Sequence, residues 1–273
     1  MIFTITKAFS IIEEIYTDGH SPLLVIDSDN KIYVAKNDKG KIPPISLINE
    51  CFAQFCLEHW NIERANFALM DFSRELIENS ELSNNHKPYF YDTTCFASEY
   101  IQNPIDANEL LVTHKKNVFN KISNPFDFLH IALFDTWVEN DDRKPTNYNL
   151  IFKLENNKYT VIPIDHAFIF STLKYQSLNP DLFTPIDNEH ILVSELGKLI
   201  KRHININIDF INKEKEYFYI CIEKCKQDFD TFITQICNFY DLDNTEIEKL
   251  RLFLFNEERN KKVFEEYVYR LGQ

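Results

Sequence analysis

The residue pattern changes near position 102, and this change constrains the fold more than any other feature of the sequence. Short β-favouring runs separated by turn residues fill most of the first hundred positions, whereas apolar residues at helical spacing dominate the remainder. The pattern predicts an α+β protein of two lobes. A β-rich lobe with an antiparallel sheet and a helix spans residues 1–101, and a mostly helical lobe spans residues 102–273.

Individual segments predict the elements of each lobe. In the first lobe we expect strands at residues 10–16, 23–26, 31–36, 65–72 and 89–101, and a helix over residues 45–59 after Pro43 and Pro44. In the second lobe we expect a helix from Ser123-Asn124-Pro125 to Trp137, a hairpin of residues 149–154 and 159–164, and helices at 191–200, at 213–240 and from Thr245. Thr245 and Glu248 have the spacing of a capping box.

Charge and composition exclude several classes of function. The net charge of -13 argues against a surface built to neutralise nucleic-acid phosphates or anionic lipid. The chain opens without a signal-peptide pattern and holds no apolar run of the roughly 18 residues that span a bilayer, so we expect a cytoplasmic protein. Only 4 glycines are present, which excludes a glycine-rich phosphate loop of the usual form, and the 6 cysteines form no C-x-x-C pair.

A cluster of polar residues follows the predicted helix that ends at Trp137. Asp142 precedes Asn147 by five positions, and Asp165 ends the second strand of the predicted hairpin. Phosphoryl transfer needs a carboxylate that accepts the proton of the attacking hydroxyl and oxygen ligands that hold magnesium against the phosphates. Asp142 fits the base, Asn147 and Asp165 fit the metal ligands, and Lys144 is placed to neutralise charge on the transferring phosphate.

The same residues also fit a loop without chemistry. Asp, Asn, Lys and Pro are ordinary turn residues, and an Asp after a strand often acts only as a cap. Asn140 and Arg143 lie close to Asp142 in the sequence, and we expect them to support the loop. A structural loop therefore remains the alternative.

An upstream lysine completes the pattern of a nucleotide site. Val34, Ala35 and Lys36 resemble the strand motif V-A-I-K, whose lysine contacts nucleotide phosphates. Glu50 lies on the following predicted helix and would pair with Lys36. A solvated strand end is the alternative role for Lys36.

The stretch Asp135-Thr136-Trp137 through Asn147, with Ile164-Asp165-His166, resembles the HipA-like kinases, which are distantly similar to protein kinases and phosphatidylinositol kinases. The resemblance implies ATP as co-substrate and Mg2+ or Mn2+ as cofactor. It implies that Asp142 is the base, that Asn147 and Asp165 hold the metal, and that Lys36 contacts the ATP phosphates.

The resemblance also implies a nucleotide-binding role for less distinctive residues. Phe96, Ser98 and Glu99 would belong to the connector on which adenine rests, and residues 17–21, with Gly19 and Ser21, would replace the phosphate loop. The sequence departs from the family pattern at Lys144, where HipA-like and lipid kinases carry His. The loop Asp-Arg-Lys-Pro-Thr-Asn is close to the D-L-K-P-E-N loop of serine/threonine kinases.

These features predict an ATP- and magnesium-dependent protein serine/threonine kinase with a protein substrate and an antitoxin-like partner, and without direct nucleic-acid or membrane binding. Three alternatives stay open. The first is a nucleotide-binding pseudokinase that acts as an interaction module. The second is a small-molecule or lipid kinase, and the third is a nucleotidyl transferase.

Overall fold

The structure, a computed structural model, describes residues 3–16, 21–40, 45–183 and 190–273. The predicted phosphate-loop residue Gly19 and the proline pair before the first predicted helix lie outside these residues. Contacts between Cα atoms divide the chain into two compact units. Unit 1 comprises the described residues of Met1–Phe55, Ala65–Gln102 and Asp230–Leu242, and unit 2 comprises those of Cys56–Arg64, Asn103–Phe229 and Asp243–Gln273.

The first half of the chain contains both strands and helices, and helices dominate the second half. The strands of the described residues are β1 Ile5–Glu14, β2 Leu23–Asp27, β3 Ile32–Lys36, β4 Phe67–Asp71, β5 Cys95–Glu99, β6 Ile105–Asp106, β7 Leu150–Glu155 and β8 Lys158–Pro163. The α-helices are α1 Ile45–His59, α2 Arg74–Glu78, α3 Ala107–His114, α4 Val118–Lys121, α5 Pro125–Trp137, α6 Glu195–Lys201, α7 Ile208–Ile236, α8 Asn244–Phe255 and α9 Glu257–Leu271. Short 3-10 turns lie at Pro88–Tyr91, Lys115–Asn117, Phe170–Thr172, Tyr175–Ser177 and Ile191–Val193.

The sheet of unit 1 closes into a barrel with the strand order β1-β2-β3-β5-β4. The predicted antiparallel meander of β1, β2 and β3 is confirmed. The prediction of a wholly antiparallel sheet is wrong, because Ile5, Thr6 and Lys7 of β1 pair in parallel with β4. This pairing is available because β1 starts at Ile5 rather than at residue 10, and because its register with β2 shifts at two places, which bends a strand.

Alternating residues of the strands fill one face of this barrel. The buried cluster contains Leu23, Val25, Tyr33, Ala35, Ala68, Met70, Cys95 and Ala97, with Ile77 and Tyr91 beside them. Because side chains alternate along a strand, Lys36 points to the face opposite Ala35. Within unit 1, Phe55 of α1 stacks on Phe232 of α7 with ring centroids 4.9 Å apart.

The core of unit 2 surrounds α5, on which most residues are buried. The helix begins as predicted, since the Asn124 side chain accepts the Phe126 N–H and Pro125 occupies the first turn. At its other end Trp137 stacks on Trp60 with ring centroids 5.5 Å apart. The predicted hairpin is confirmed as β7 and β8, and β6 adds a third strand beside β7.

Several predicted elements differ in extent from the structure, and the helix predicted at 191–200 is a 3-10 turn at Ile191–Val193 followed by α6 at Glu195–Lys201. The predicted strand over residues 89–101 is a 3-10 turn followed by β5, because Pro88 starts a helical turn at its beginning. The long helix predicted at 213–240 runs from Ile208 to Ile236.

The capping box before α8 lies two positions upstream of its predicted place. Asp243 Oδ1 accepts the Glu246 N–H at 2.8 Å, and Glu246 Oε2 accepts the Asp243 N–H at 3.2 Å. Thr245 is already inside the helix and does not cap it. Asp is as strong an N-cap as Ser or Thr, so the box is formed by the pair that lies at the start of the helix.

None of the helices in the described residues combines the length and the apolar composition that crossing a bilayer requires.

Candidate functional site

A tight turn after α5 brings Asp142 and Asn147 together. Lys144 and Asn147 exchange backbone hydrogen bonds of 3.0 and 2.9 Å, which close a β-turn with Pro145 at its second position, where proline is favoured. The Asn147 Nδ2 group donates to Asp142 Oδ1 at 3.1 Å and to the Asp142 carbonyl at 3.3 Å. The sequence motif therefore forms one compact loop.

A second asparagine fixes the other oxygen of the Asp142 carboxylate. Asn149 Nδ2 donates to Asp142 Oδ2 at 2.9 Å. Asn149 adopts a positive φ of 46°, a conformation that asparagine tolerates better than most residues. One amide on each oxygen holds the carboxylate in a single orientation and leaves each oxygen a further lone pair for a proton or a cation.

Arg143 anchors the loop from within the protein. Its Nε lies 2.8 Å from Asp135 Oδ2 of α5, and its Nη1 donates to the carbonyls of Tyr148 and Asn149. Both charged side chains of the pair are almost completely buried. Burial raises the pKa of Asp135, and the Arg143 charge opposes that rise. The pair thus holds the loop against α5 inside the protein. Asn140 supports the pair by donating to Asp135 Oδ1 at 2.9 Å.

Asp165 is held beside this loop through its two sequence neighbours. The Ile164 N–H donates to the Asn149 carbonyl at 2.9 Å, and Arg143 Nη2 donates to the Ile164 carbonyl at 3.2 Å. On the other side, Arg143 Nη2 lies 2.9 Å from His166 Nε2. Asp165 itself has a positive φ of 57°. A non-glycine residue in this conformation costs free energy and is typical of functional sites.

The donor set of this loop suits a hard cation. Asp142 and Asp165 offer carboxylate oxygens, and the Asn147 amide directs its Nδ2 to Asp142, so its Oδ1 points away from that residue. In the part of the chain that the structure describes, no group of three or more His, Cys, Asp or Glu side chains could hold a metal ion. A cation here would depend on the Asp165 carboxylate, the Asn147 amide oxygen and ligands from substrate or water, and Mg2+ is usually bound through one or two carboxylates with such ligands.

Lys36 and Glu50 form an ion pair in unit 1. Lys36 Nζ lies 2.6 Å from Glu50 Oε1, and the two side chains are 12% and 2% exposed. Glu50 lies on α1, and Lys36 is the last residue of β3. The predicted pairing of these two side chains is therefore present in the structure.

The remaining predicted nucleotide residues lie mainly within the sheet. Phe96 pairs with Lys36 and Leu69, and Ser98 pairs with Val34 and Phe67. Both lie in β5 between β3 and β4, and their contact with adenine stays a prediction. Unit 1 continues to Gln102 after the end of β5.

Glu99 and Ser21 lie at other places on the barrel. Glu99 ends β5, where its Oε2 accepts from Asn66 Nδ2 at 2.9 Å. Ser21 lies just before β2, is buried and has a positive φ of 46°. Its Oγ lies 3.5 Å from Asn85 Nδ2. Their contact with nucleotide stays a prediction, as does that of Gly19.

Asp135 and Asn149 are the contributors to the site that sequence reasoning did not assign. Asn149 was expected only to start a strand, although its position two residues after Asn147 is a usable signal in an extended segment, where alternate residues share a face. Asp135 lies in an apolar helix, and a lone carboxylate among buried positions signals a buried partner.

The chain is similar to known kinases in family and fold. The family model described as HipA-like kinase matches residues 9–198. A solved structure of the proinflammatory kinase CtkA from Helicobacter pylori aligns with a TM-score of 0.51 and 15% identity, over 100% of this chain and 99% of that chain. An aminoglycoside phosphotransferase from Alicyclobacillus acidocaldarius aligns with a TM-score of 0.30 and 10% identity, over 97% and 93% of the two chains. A comparison with curated proteins gave no match.

Proposed function

Because the chain belongs to the HipA-like kinase family, a family of phosphotransferases, we propose that it transfers the γ-phosphate of ATP to the hydroxyl group of a protein serine or threonine. The observation that carries this proposal is the Asp142 carboxylate, which the amides of Asn147 and Asn149 hold at 3.1 and 2.9 Å. A carboxylate held in this way is oriented to accept the proton of an attacking hydroxyl.

Asp142 acts as the base in this proposal. The acceptor hydroxyl attacks the γ-phosphorus, a new P–O bond forms, the bond to the β-phosphate oxygen breaks, and the hydroxyl proton passes to Asp142. The Asn147 and Asn149 amides hold the Asp142 carboxylate in one orientation while it accepts the proton. Lys144, on the same turn, places a positive charge near the transferring group.

Asp165 and Asn147 would hold the divalent cation, Mg2+ or Mn2+. When bound, the cation neutralises charge on the phosphates. The contribution of this chain is to fix the ligands: Arg143 binds the carbonyl before Asp165 and the imidazole after it. The left-handed backbone of Asp165 sets the direction of its carboxylate.

In unit 1, we assign to the Lys36 ammonium the contact with the ATP phosphates that the family motif implies. Glu50 orients the lysine through the 2.6 Å ion pair. The division into a nucleotide-binding lobe of residues 1–101 and a catalytic lobe of residues 102–273, the cytoplasmic location and the antitoxin-like partner stay predictions.

The test is phosphate transfer from Mg-ATP by the wild type and by Asp142→Asn. We expect the wild type to modify itself or proteins of a lysate at serine or threonine, as mass spectrometry of the products would show. Asp142→Asn should lower the rate by roughly 10²- to 10⁴-fold, the usual contribution of a general base.

Asp141→Asn is the matched control, because it removes the neighbouring negative charge from the same loop. Burial raises the pKa of Asp141, and its Oδ1 has no hydrogen-bond partner in the structure, so an amide there is tolerated. Equal turnover by Asp142→Asn and wild type would contradict the assignment of the base. AMP on the product would indicate nucleotidyl transfer, and no transfer by the wild type would favour an interaction module.

A further inference from the structure

Arg259 is a fully buried cation on α9, in a part of the chain that lies beyond the family match at residues 9–198. Its Nη2 donates to the Trp137 carbonyl at 2.7 Å and to Glu139 Oε1 at 2.8 Å. Its guanidinium carbon lies 3.6 Å from the centroid of the Phe253 ring. Arg259 thus binds both the last residue of α5 and the first part of the loop that leads to Asp142.

Glu139 also binds the segment that follows Asp165. Its Oε2 accepts from Ser171 Oγ at 3.1 Å, and its carbonyl accepts the Ser171 N–H at 3.0 Å. The adjacent Val138 carbonyl accepts the Phe170 N–H at 2.6 Å. The Glu139 carboxylate therefore lies between Arg259 on one side and Ser171 on the other.

The backbone on both sides of this contact has an unfavourable conformation. Glu139 has a φ of 49°, and Phe170, Ser171 and Thr172 have φ values of 61°, 49° and 58°. Residues other than glycine keep positive φ angles only where surrounding contacts impose them. The bonds of Arg259 and Glu139 are contacts of this kind.

We propose that Arg259 and Glu139 form a positioning pair for phosphotransfer. The pair fixes the start of the Asp142 loop against α5 and ties the segment after Asp165 to the same point. The inference rests on the proposed function, in which Asp142 and Asp165 act together. Neither member of the pair is expected to touch ATP, so the effect should fall on kcat and leave KM for ATP unchanged.

The decisive variant replaces both charges by apolar side chains of similar length, Arg259→Met with Glu139→Met. Exchange of a buried ion pair for apolar residues often preserves stability, whereas removal of one partner leaves a buried charge alone. The matched control is Arg270→Met with Glu266→Met, a 2.6 Å pair on the same helix that does not involve the Asp142 loop.

Phosphate release from Mg-ATP gives kcat and KM for the variants and the wild type. We expect kcat to fall about tenfold or more in the Arg259/Glu139 double variant, with KM and the unfolding midpoint little changed, and kcat to be kept in the control. Should the double variant not fold, Ser171→Ala removes the side-chain bonds of Ser171 to Glu139 and to Asp141 and is expected to lower kcat severalfold. Normal kcat in a folded double variant, or in Ser171→Ala where that variant is the one measured, would overturn the proposal.

Amide hydrogen exchange supplies a readout that does not require turnover. The Phe170 and Ser171 amides should exchange faster in the double variant, or in Ser171→Ala if only that variant folds, than in the control. Faster exchange together with an inactive wild type would contradict the proposed function, and would leave only the finding that the pair fixes the segment after Asp165. Unchanged exchange would reject the positioning role even where the wild type is active.

Discussion

Arg143 shows how a single side chain organises the candidate site. It is buried beside Asp135 and donates to carbonyl groups that lie on both sides of the hairpin formed by β7 and β8. Planar guanidinium geometry allows several such bonds at once, which a lysine ammonium does not reproduce. The loop with Asp142 and the strand end with Asp165 thus share one anchor.

Removal of this anchor should destabilise the protein strongly. Arg143→Met leaves Asp135 as an unpaired buried carboxylate, and we expect a loss of about 3–5 kcal/mol in the free energy of unfolding. Arg74→Met is the control, since Arg74 and Asp92 form an exposed pair whose loss should cost about 1 kcal/mol or less. Urea unfolding of both variants measures the difference, and similar losses would contradict the bracing role of Arg143.

His190 is a buried residue whose charge state differs between the folded and the unfolded protein. Its Nδ1 accepts the Leu192 N–H at 3.2 Å, and its Nε2 lies 3.0 Å from Thr136 Oγ1. Burial, with the nearby charge of Arg270 as a smaller cause, lowers the pKa of His190 to about 3. The folded protein therefore holds this imidazole neutral, and the unfolded chain protonates it near pH 6.5.

This difference predicts a loss of stability in acid. Between about pH 6.5 and pH 3 the unfolded state binds the extra proton, so the free energy of unfolding falls as pH falls, by about 1.4 kcal/mol per pH unit from this group. His190→Gln lacks the titrating group. Urea unfolding at pH 7.5 and 5.0 should show a steeper loss for wild type than for the variant, and parallel losses would contradict the neutral buried state.

Residue types predicted part of the site, and tertiary contacts determined the rest. The contact between Asp142 and Asn147 follows from a local turn that Pro145 favours, so the sequence carried that information. The Asn149 contribution depends on where β7 begins, because a shift of one residue would turn its side chain to the other face. Asp135 is separated from Arg143 by the end of α5, and only the folded geometry shows that they meet.

At the scale of single elements, the cap of α8 distinguishes two sequence motifs of similar form. The reciprocal bonds of Asp243 and Glu246 satisfy amide groups at the helix start, whereas Thr245 is an exposed residue of the first turn. Asp243→Ala should therefore cost about 1 kcal/mol. Thr245→Ala should be close to neutral, and a larger loss in Thr245→Ala than in Asp243→Ala would place the box at the position first expected from the sequence.

The strands of the barrel show why element boundaries were harder to predict than element types. β1 exposes Ile5 and Phe9, so its first half lacks the alternation of polar and apolar residues that marks a half-buried strand. Its parallel pairing with β4 is non-local and leaves no local sequence signal. By contrast, α1 and α5 are rich in apolar residues, and the structure confirms the end predicted for each.

At the scale of the whole molecule, the site depends on segments far apart in the sequence. Arg259 on α9 lies more than a hundred residues after Glu139, and their contact was not predictable from local motifs. The net charge of -13 means that binding of a nucleotide polyanion would need local positive charge, which the proposed function assigns to Lys36 in unit 1 and to Lys144 in unit 2.

The most direct test of the account is binding of a divalent cation with nucleotide. Calorimetric titration with the Mn2+ complex of a non-hydrolysable ATP analogue should give one site in the wild type. Asn147→Ala and Asp165→Asn should each weaken it roughly tenfold or more, because each removes an oxygen ligand or a negative charge from the proposed metal site, and the loss even of a group that only orients a ligand typically costs about 10- to 100-fold in metal affinity. The exposed control Asp181→Asn should bind like the wild type, and equal affinity in all four proteins, or no binding by the wild type, would contradict the site.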